Sequence, residues 1–145
     1  MSRRHALLIG VVLVAVLAGF LVVRVLAGYQ QPEWTDIPPA PAASGYEGAL
    51  EAPLDNRVTG RAAERSLRVI ESRLERLPDG VTWEQHLAFR DANDGGMQRE
   101  VELVPEPDSP VLYAEWSGAG RTLFVVGAVD ATGRLVVLTA LAESA

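Results

Sequence analysis

The sequence predicts an α+β protein with three parts: an N-terminal transmembrane helix, a proline-rich tether and a small domain. In that domain one amphipathic helix packs on an antiparallel meander sheet of four or five strands. Three observations predict this layout. Eighteen consecutive apolar residues run from Ala6 to Val23, and proline and small residues dominate residues 28–45. Apolar residues then recur first at helical spacing and afterwards in short alternating runs separated by turn residues.

The apolar run has the length of a membrane-spanning helix. At about 1.5 Å per residue it extends roughly 27 Å, close to the hydrocarbon thickness of a bilayer. Arg24 can reach toward the headgroups, so the predicted helix covers residues 6–27. Arg3 and Arg4 precede the helix, and the first 20 residues beyond it contain no Arg or Lys. The positive-inside rule then leaves residues 1–5 as a cytoplasmic tail and exports the rest.

Two other interpretations of the N-terminus stay open. Val25-Leu26-Ala27 offers a signal-peptidase cut after Ala27, and Ser2-Arg3-Arg4 fits the start of a twin-arginine signal. We favour the uncleaved anchor because cleavable cores usually hold about 7–15 apolar residues, fewer than this run. The anchored and the cleaved form both place residues 28–145 outside the cytoplasm.

The exported part is acidic and contains no cysteine. It carries ten arginines against 19 Asp and Glu residues, which argues against nucleic acid or anionic lipid as a partner. The absence of cysteine excludes disulfides, a thiol nucleophile and a cysteine zinc site. All 13 basic residues are arginine, which we interpret as the codon bias of a GC-rich bacterial genome. The expected location is therefore the inner membrane, with the C-terminal domain in the periplasm.

The tether and the first helix are predicted from composition and spacing. Proline lacks an amide donor and stiffens the chain, so residues 28–45 are predicted to be an extended linker before a domain at residues 46–145. Residues 46–58 carry no decisive pattern. A helix is predicted over residues 60–77, with Thr59 as its N-cap and Pro78 at its end. Its apolar residues recur at spacings of four, three, four and three: Ala63, Leu67, Ile70, Leu74 and Leu77.

The remainder of the chain is predicted to form strands. The predicted strands are residues 83–89, 97–104, 111–117, 121–129 and 134–141. Short turn-rich loops join them, which favours an antiparallel meander, and the apolar run 121–129 is predicted to be central. The first strand is ambiguous over residues 83–92. Alternation from Trp83 to Phe89 favours a strand, whereas Thr82 and Gln85 form a capping box that would begin a helix.

The sequence offers little for catalysis or metal binding. The two histidines are His5 and His86, so a metal site would have one exported imidazole. Residues from Asp91 to Glu102 match a calcium loop in part, but Gly95 removes the side-chain ligand at position five. No serine lies in a G-x-S-x-G motif. We therefore predict no metal, no cofactor, no catalytic residues and no enzymatic activity; a hydrolase built on His86 is the least favoured alternative.

The expected function is protein binding by an accessory or assembly subunit of an envelope complex. Trp83, Tyr113 and Trp116 are the predicted interface residues, because exposed aromatic side chains often anchor interfaces. Packing in the core is the alternative for each of them. A periplasmic domain that binds or senses a small ligand, in a pocket between helix and sheet, is the second function considered. The sequence leaves self-association open.

Overall fold

The structure, a computed structural model, describes residues 12–19, 21, 31–100 and 109–145 of the 145-residue chain. The chain divides into two compact units, Met1–Gln30 and Gln31–Ala145. In the first unit, residues 12–19 are helical. Among the described residues, no helix combines the length and the apolar character needed to cross a bilayer. Both ends of the predicted anchor, and the site of the alternative cut, lie outside the described residues.

The second unit is an α+β domain built on a six-stranded antiparallel sheet. Its described helices are a 3₁₀ helix (Trp34–Asp36), α1 (Glu51–Glu64) and α2 (Trp83–Ala92). The strands are β1 (Ser44–Gly45), β2 (Leu67–Arg76), β3 (Gln98–Arg99), β4 (Leu112–Gly118), β5 (Arg121–Val129) and β6 (Leu135–Ser144). Their order across the sheet is β1-β2-β6-β5-β4-β3. The α+β class with an antiparallel sheet is thus confirmed, and β3 to β6 form a meander. The prediction of one helix on four or five strands is wrong, because the described domain has two α-helices and six strands, and β2 joins the far side of β6.

Both faces of the sheet are covered. Along β5, Leu123 and Val125 belong to one core cluster, whereas Phe124 and Val126 belong to another. The first cluster includes residues of α2 and of the segment before β1, so we name its side of the sheet the α2 face. The second cluster includes residues of α1 and lies on the α1 face. Burial on both faces explains why β5 and β6 are nearly continuous apolar runs.

The predicted helix over residues 60–77 is wrong. α1 uses the earlier residues that carried no decisive pattern, and it ends at Glu64. Ser66 then adopts a φ of 54°, and the chain continues as β2. Thr59, the predicted N-cap, lies inside α1, where its hydroxyl donates a hydrogen bond to the Asp55 carbonyl at 2.9 Å. Three residues four apart form the buried side of α1: Leu54, Val58 and Ala62.

A β-bulge explains why β2 resembles a helix in sequence. The pairing of β2 with β6 shifts register between Val69 and Glu71. Leu67 and Leu74 pack against the core of the α1 face, whereas Ile70 and Leu77 belong to the core of the α2 face. The spacing of three and four residues therefore comes from two faces of an irregular strand.

The predicted strand over residues 83–89 is also wrong, and the alternative helix is confirmed. The Gln85 amide donates to the Thr82 hydroxyl at 3.2 Å, and the Gln85 side chain accepts from the Thr82 amide at 2.9 Å. This capping box satisfies two backbone donors that a helix start leaves open. His86, Leu87 and Arg90 lie at helical spacing and are buried.

The later strands follow the sequence prediction closely. The runs 111–117, 121–129 and 134–141 are confirmed as β4, β5 and β6, although β6 continues to Ser144. β5 lies between β4 and β6, so its predicted central position is confirmed. The run 97–104 contains β3, and its residues 101–104 lie outside the described residues.

Much of the proline-rich segment packs against the α2 face. Ile37 is fully buried and Ala40 is 6% exposed, and both belong to the core. Arg73 donates a hydrogen bond to the Ile37 carbonyl at 3.1 Å, and Arg90 donates to the Pro38 carbonyl at 2.9 Å. In the structure the segment from residue 31 onward is therefore part of the compact domain.

Candidate interaction surface

The structure separates the three predicted interface residues. Trp116 is fully buried on the α2 face, where its indole N–H donates to Asp91 at 2.9 Å. Tyr113 is buried on the α1 face, where its hydroxyl donates to Glu115. Trp83 is half-buried and packs over the backbone of Gly127. Of the three, Trp83 is the side chain that a partner can reach without disturbing the core.

A buried polar cluster on the α2 face fastens the segment before β1. Arg90 is fully buried, and burial lowers its pKa to about 10, so the guanidinium stays charged at neutral pH. Glu75 is 4% exposed, and burial raises its pKa. Its carboxylate accepts a hydrogen bond from the Ala40 amide at 3.4 Å. Together with Arg73, these side chains bind the backbone of residues 37–40.

His86 belongs to the same enclosed region. It is 2% exposed, and its Nε2 has no hydrogen-bond partner. Burial, with a smaller contribution from Arg90, lowers its pKa to about 4, so the imidazole is neutral near pH 7. Its ring centroid lies 6.2 Å from that of Trp83 and 6.1 Å from that of Phe89. These contacts give His86 the surroundings of a core residue.

The residues weighed as metal ligands have structural contacts. Asp91 accepts from the Trp116 indole and pairs with Arg99 at 3.3 Å. The Asn93 side chain donates to the Phe89 carbonyl at the end of α2. Glu102 lies outside the described residues. Within residues 31–100 and 109–145, no group of three His, Asp or Glu side chains is placed to hold a metal ion.

A second polar network joins α1 to β4 on the α1 face. The guanidinium carbons of Arg57 and Arg61 lie 5.6 and 6.0 Å from the centre of the Tyr113 ring. Arg65 forms an ion pair with Glu115, which also accepts from Tyr113. Burial, reinforced by the bond to Glu115, raises the pKa of Tyr113. The network holds α1 against the sheet.

A groove of about 450 Å³ lies between the first half of α1 and the sheet. Glu51 and Asp55 contribute exposed carboxylates on the helical side. On the sheet side, Ser72 and Leu74 of β2 form the wall. The groove therefore combines negative charge with access to the backbone of β2.

The outer edge of β2 is largely open. β1 pairs only with Glu75 and Arg76, and the Tyr46 amide adds one bond to the Leu74 carbonyl at 3.3 Å. Within the described part of the chain, no strand pairs with β2 on this side over residues 67–73. We name residues 67–73 the open edge of β2.

Hydrogen bonds at both ends of β2 reveal which backbone groups face this edge. The Leu77 amide donates to the Leu135 carbonyl at 2.8 Å. Because backbone groups alternate in direction along a strand, the N–H and C=O groups of Glu75, Arg73 and Glu71 also face β6. On the N-terminal side of the bulge, the Ala145 amide donates to the Ser66 carbonyl at 3.1 Å. The backbone groups of Ser66 therefore face the β6 side, and the alternation is counted from Ser66 in this part of the strand. The residues whose backbone N–H and C=O groups point away from β6 are therefore Leu67, Val69, Ser72 and Leu74. The sequence does not reveal this edge, because its apolar spacing predicts a helix over residues 60–77.

No protein-family model, curated protein or solved structure matches this chain.

Proposed function

We propose that this chain is a single-pass, membrane-anchored subunit whose extracytoplasmic domain binds another envelope protein through the open edge of β2. The open edge is the observation that carries the proposal. Unpaired backbone groups along a sheet edge can bind an added strand, and neighbouring pockets then select its side chains. Ser72 belongs to both the edge and the groove, so one partner strand can use both features.

The chemistry of the groove favours a basic side chain in the partner strand. A strand that pairs with Ser72 places a side chain on the same face of the sheet, beside the carboxylates of Glu51 and Asp55. Opposite charges at a partly exposed interface improve specificity and the rate of association. The acidic composition of the domain supports a protein partner over nucleic acid.

The membrane location is supported by the apolar run and by its flanking charges. A helix over residues 6–27, with Arg3 and Arg4 before it, orients the chain with its N-terminus in the cytoplasm. The inner membrane and the periplasm of a bacterium are the proposed compartments. Comparison of the mass of the mature protein with that of the full chain tests whether residues 1–27 are retained.

A photo-crosslinking experiment tests the binding edge in the membranes of the organism that produces the protein. A photoreactive residue replaces Asp55 in the groove, and a second variant carries it at the exposed Glu64 as a matched control. Ser72→Pro removes an outward N–H without touching the β2–β6 ladder, whereas Ser72→Ala removes only the side-chain hydroxyl. We expect an adduct from position 55 that persists with Ser72→Ala and disappears with Ser72→Pro. Equal adducts from positions 55 and 64 would contradict the proposal.

Small-ligand binding is a second candidate because the groove has a suitable volume. Ligand pockets commonly occupy about 300–1,000 Å³, and this groove measures about 450 Å³. A small ligand in it would not need the outward N–H of Ser72. A ligand that raises the melting temperature of the wild type and of Ser72→Pro equally would favour this candidate over strand addition.

A further inference from the structure

We propose that the partner at the open edge of β2 is a second copy of this chain, paired antiparallel across a two-fold axis. The two sheets then join edge to edge into one continuous sheet. This inference rests on the proposed function, from which it keeps the open edge, and it names a second copy as the partner. It does not use the preference of the groove for a basic side chain, because Leu67 is the residue that opposes Ser72 in the register argued below.

The β-bulge restricts which strands can pair with the whole open edge. In a regular strand the outward backbone groups recur every second residue, but Val69 and Ser72 are three residues apart. A regular strand that pairs with Ser72 is therefore out of phase with Leu67. A second copy of β2 contains the same spacing of three residues. In a two-fold pairing, outward backbone groups of the two copies can therefore meet on both sides of the bulge. The bulge thus favours self-pairing.

One register also matches the charges. It places Leu67 opposite Ser72 of the second copy, so that outward backbone groups meet on both sides of the bulge, while Val69 between them opposes Ile70 of the second copy. The same register places Arg68 opposite Glu71 of the second copy. Because the axis applies each pairing twice, the interface contains two Arg–Glu pairs, and opposite charges in directly opposed positions stabilise a strand pair.

Both charged side chains lie on the same face and are accessible. Glu71 is opposed by Leu141 on β6 and Arg68 by Glu143, two residues further along, so both project on the α2 face. The Arg68 side chain is 67% exposed, and Glu71 is exposed. Arg68 already binds Glu143 at 2.6 Å, but a guanidinium has five donors and can bind both carboxylates.

The neighbouring symmetric registers are unfavourable. A shift that places Val69 opposite Ser72 of the second copy sets Arg68 against Arg73, and like charges in opposed positions destabilise a strand pair. A register centred on Ser72 brings the second copy to the Leu74 carbonyl, which already accepts from Tyr46. The register with Val69 opposite Ser72 brings more outward backbone groups together, but it opposes like charges and needs the Leu74 carbonyl that Tyr46 already occupies. The charges therefore select the register that places Leu67 opposite Ser72.

The expected interface is small. The paired stretch Leu67–Ser72 is shorter than a standard interface of about 1,200–2,000 Å² requires. We therefore expect a dimer that dissociates on dilution in solution. Anchoring in a membrane would favour it by raising the effective concentration of the two copies.

Charge reversal in the full-length chain, purified in detergent micelles, tests the inference by analytical ultracentrifugation. The wild type should show a concentration-dependent monomer–dimer equilibrium. Arg68→Glu and Glu71→Arg should each raise the dissociation constant about tenfold or more, because each creates two like-charge pairs. The double variant should return to within about threefold of the wild type. A wild type that stays monomeric, or a dimer that ignores the single reversals, overturns the inference.

Arg99→Glu provides a matched control at the other end of the sheet. Arg99 lies on β3 and pairs with Asp91, much as Arg68 on β2 pairs with Glu143. This variant should leave the dissociation constant unchanged, and an effect as large as that of Arg68→Glu would overturn the inference. Thermal unfolding shows which variants fold; if Arg68→Glu does not, Glu71→Arg carries the test.

Engineered cysteines test the register directly, because the natural chain contains none. In Leu67→Cys/Ser72→Cys the two thiols of one chain are five residues apart on a strand, roughly 16 Å, too far for an internal disulfide. In the proposed register each cysteine opposes its counterpart in the second copy, so oxidation should give a covalent dimer. Ser72→Cys alone should give none. Equal dimer yields from the single and the double variant would overturn the register.

The photo-crosslinking experiment separates failure of this inference from failure of the proposed function. If the Asp55 variant captures a different polypeptide in a manner that Ser72→Pro abolishes, and the purified chain stays monomeric, the edge binds another protein and the second-copy inference fails alone. If neither adduct nor dimer depends on the edge, both fail.

Discussion

The two faces of the sheet bury charged groups in different ways. On the α2 face Arg90 and Glu75 are enclosed, and much of their hydrogen bonding goes to the backbone of residues 37–40. On the α1 face the Arg65 side chain is 35% exposed while its partner Glu115 is buried. Because water screens a charge that it can reach, loss of a partner should cost more on the enclosed face.

The sharpest test of this difference compares Arg90→Met with Arg65→Met. Arg90→Met removes the donor to the Pro38 carbonyl and one of the two arginine charges that act on Glu75, the other being Arg73, so we expect a loss of about 3 kcal/mol in the free energy of unfolding. Arg65→Met should cost about 1 kcal/mol, because Tyr113 still donates to Glu115 and Arg65 is partly solvated. Chemical denaturation measures both. Equal losses would show that enclosure does not distinguish the two faces.

The pH dependence of stability should reveal His86 on the enclosed face. Its folded pKa is about 4, below the value of about 6.5 expected in the unfolded chain. The unfolded chain therefore binds this proton first, and stability falls as the pH drops from about 6.5 to 4, by up to roughly 3 kcal/mol.

His86→Gln is the matched variant for the pH experiment. Its stability should lack the decrease assigned to His86, while the opposite contribution of Glu75, whose folded pKa is raised, remains in both proteins. Urea denaturation at several pH values gives the difference between the two proteins. Parallel curves for His86→Gln and the wild type would rule out a buried neutral imidazole.

Glycine substitutions should distinguish a tight contact on the α2 face from open space on α1. A Cβ at Gly127 would lie 2.9 Å from the Trp83 ring, so Gly127→Ala should cost about 1–3 kcal/mol. Gly60 lies within α1 with no neighbouring atom within 4 Å of a Cβ, so Gly60→Ala should stabilise by up to about 1 kcal/mol. Thermal unfolding of both variants checks the opposite signs of the two changes in stability. A stabilising Gly127→Ala would show that Trp83 does not pack over Gly127.

The smallest expected effect on stability concerns Thr82 and Thr59, of which only Thr82 caps a helix in the structure. Thr82 caps α2, so Thr82→Ala should cost about 1 kcal/mol. Thr59 lies inside α1, so Thr59→Ala should change stability by less than about 0.5 kcal/mol. Denaturation of the two variants tests the assignment. A larger loss of stability for Thr59→Ala than for Thr82→Ala would indicate that a helix starts at Thr59, as apolar spacing alone predicts.

The sequence predicted the later strands well and the first half of the domain poorly, for identifiable reasons. β5 and β6 are long apolar runs bounded by turn residues, so their type and limits were readable. α1 contains Pro53 and Gly60 and has few large apolar residues, so its pattern was weak. Pro53 is tolerated because it lies in the first helical turn, where no intrahelical donor is required.

The sequence does not predict the candidate site, for a related reason. Its groove and open edge exist because residues 67–76 form a strand beside α1, whereas their apolar spacing predicts a helix. Residue type alone points to Trp83, Tyr113 and Trp116 as contacts. Trp116 and Tyr113 proved to be buried, since residue type does not report which face of a strand is covered.

The sequence by itself determined the α+β class, the meander from β3 to β6, and the expectations of a membrane anchor and an acidic, cysteine-free domain. Tertiary structure decided the identity of β2, the start of α1 and the burial of Tyr113 and Trp116. The physical reason lies in pairing. Pairing with β6, which runs from Leu67 opposite Ser144 to Arg76 opposite Val136, holds β2 as a bulged strand whose apolar spacing would otherwise suit a helix. The local spacing of apolar residues is compatible with a helix and with a bulged strand, and hydrogen bonds to a distant strand decide between the two.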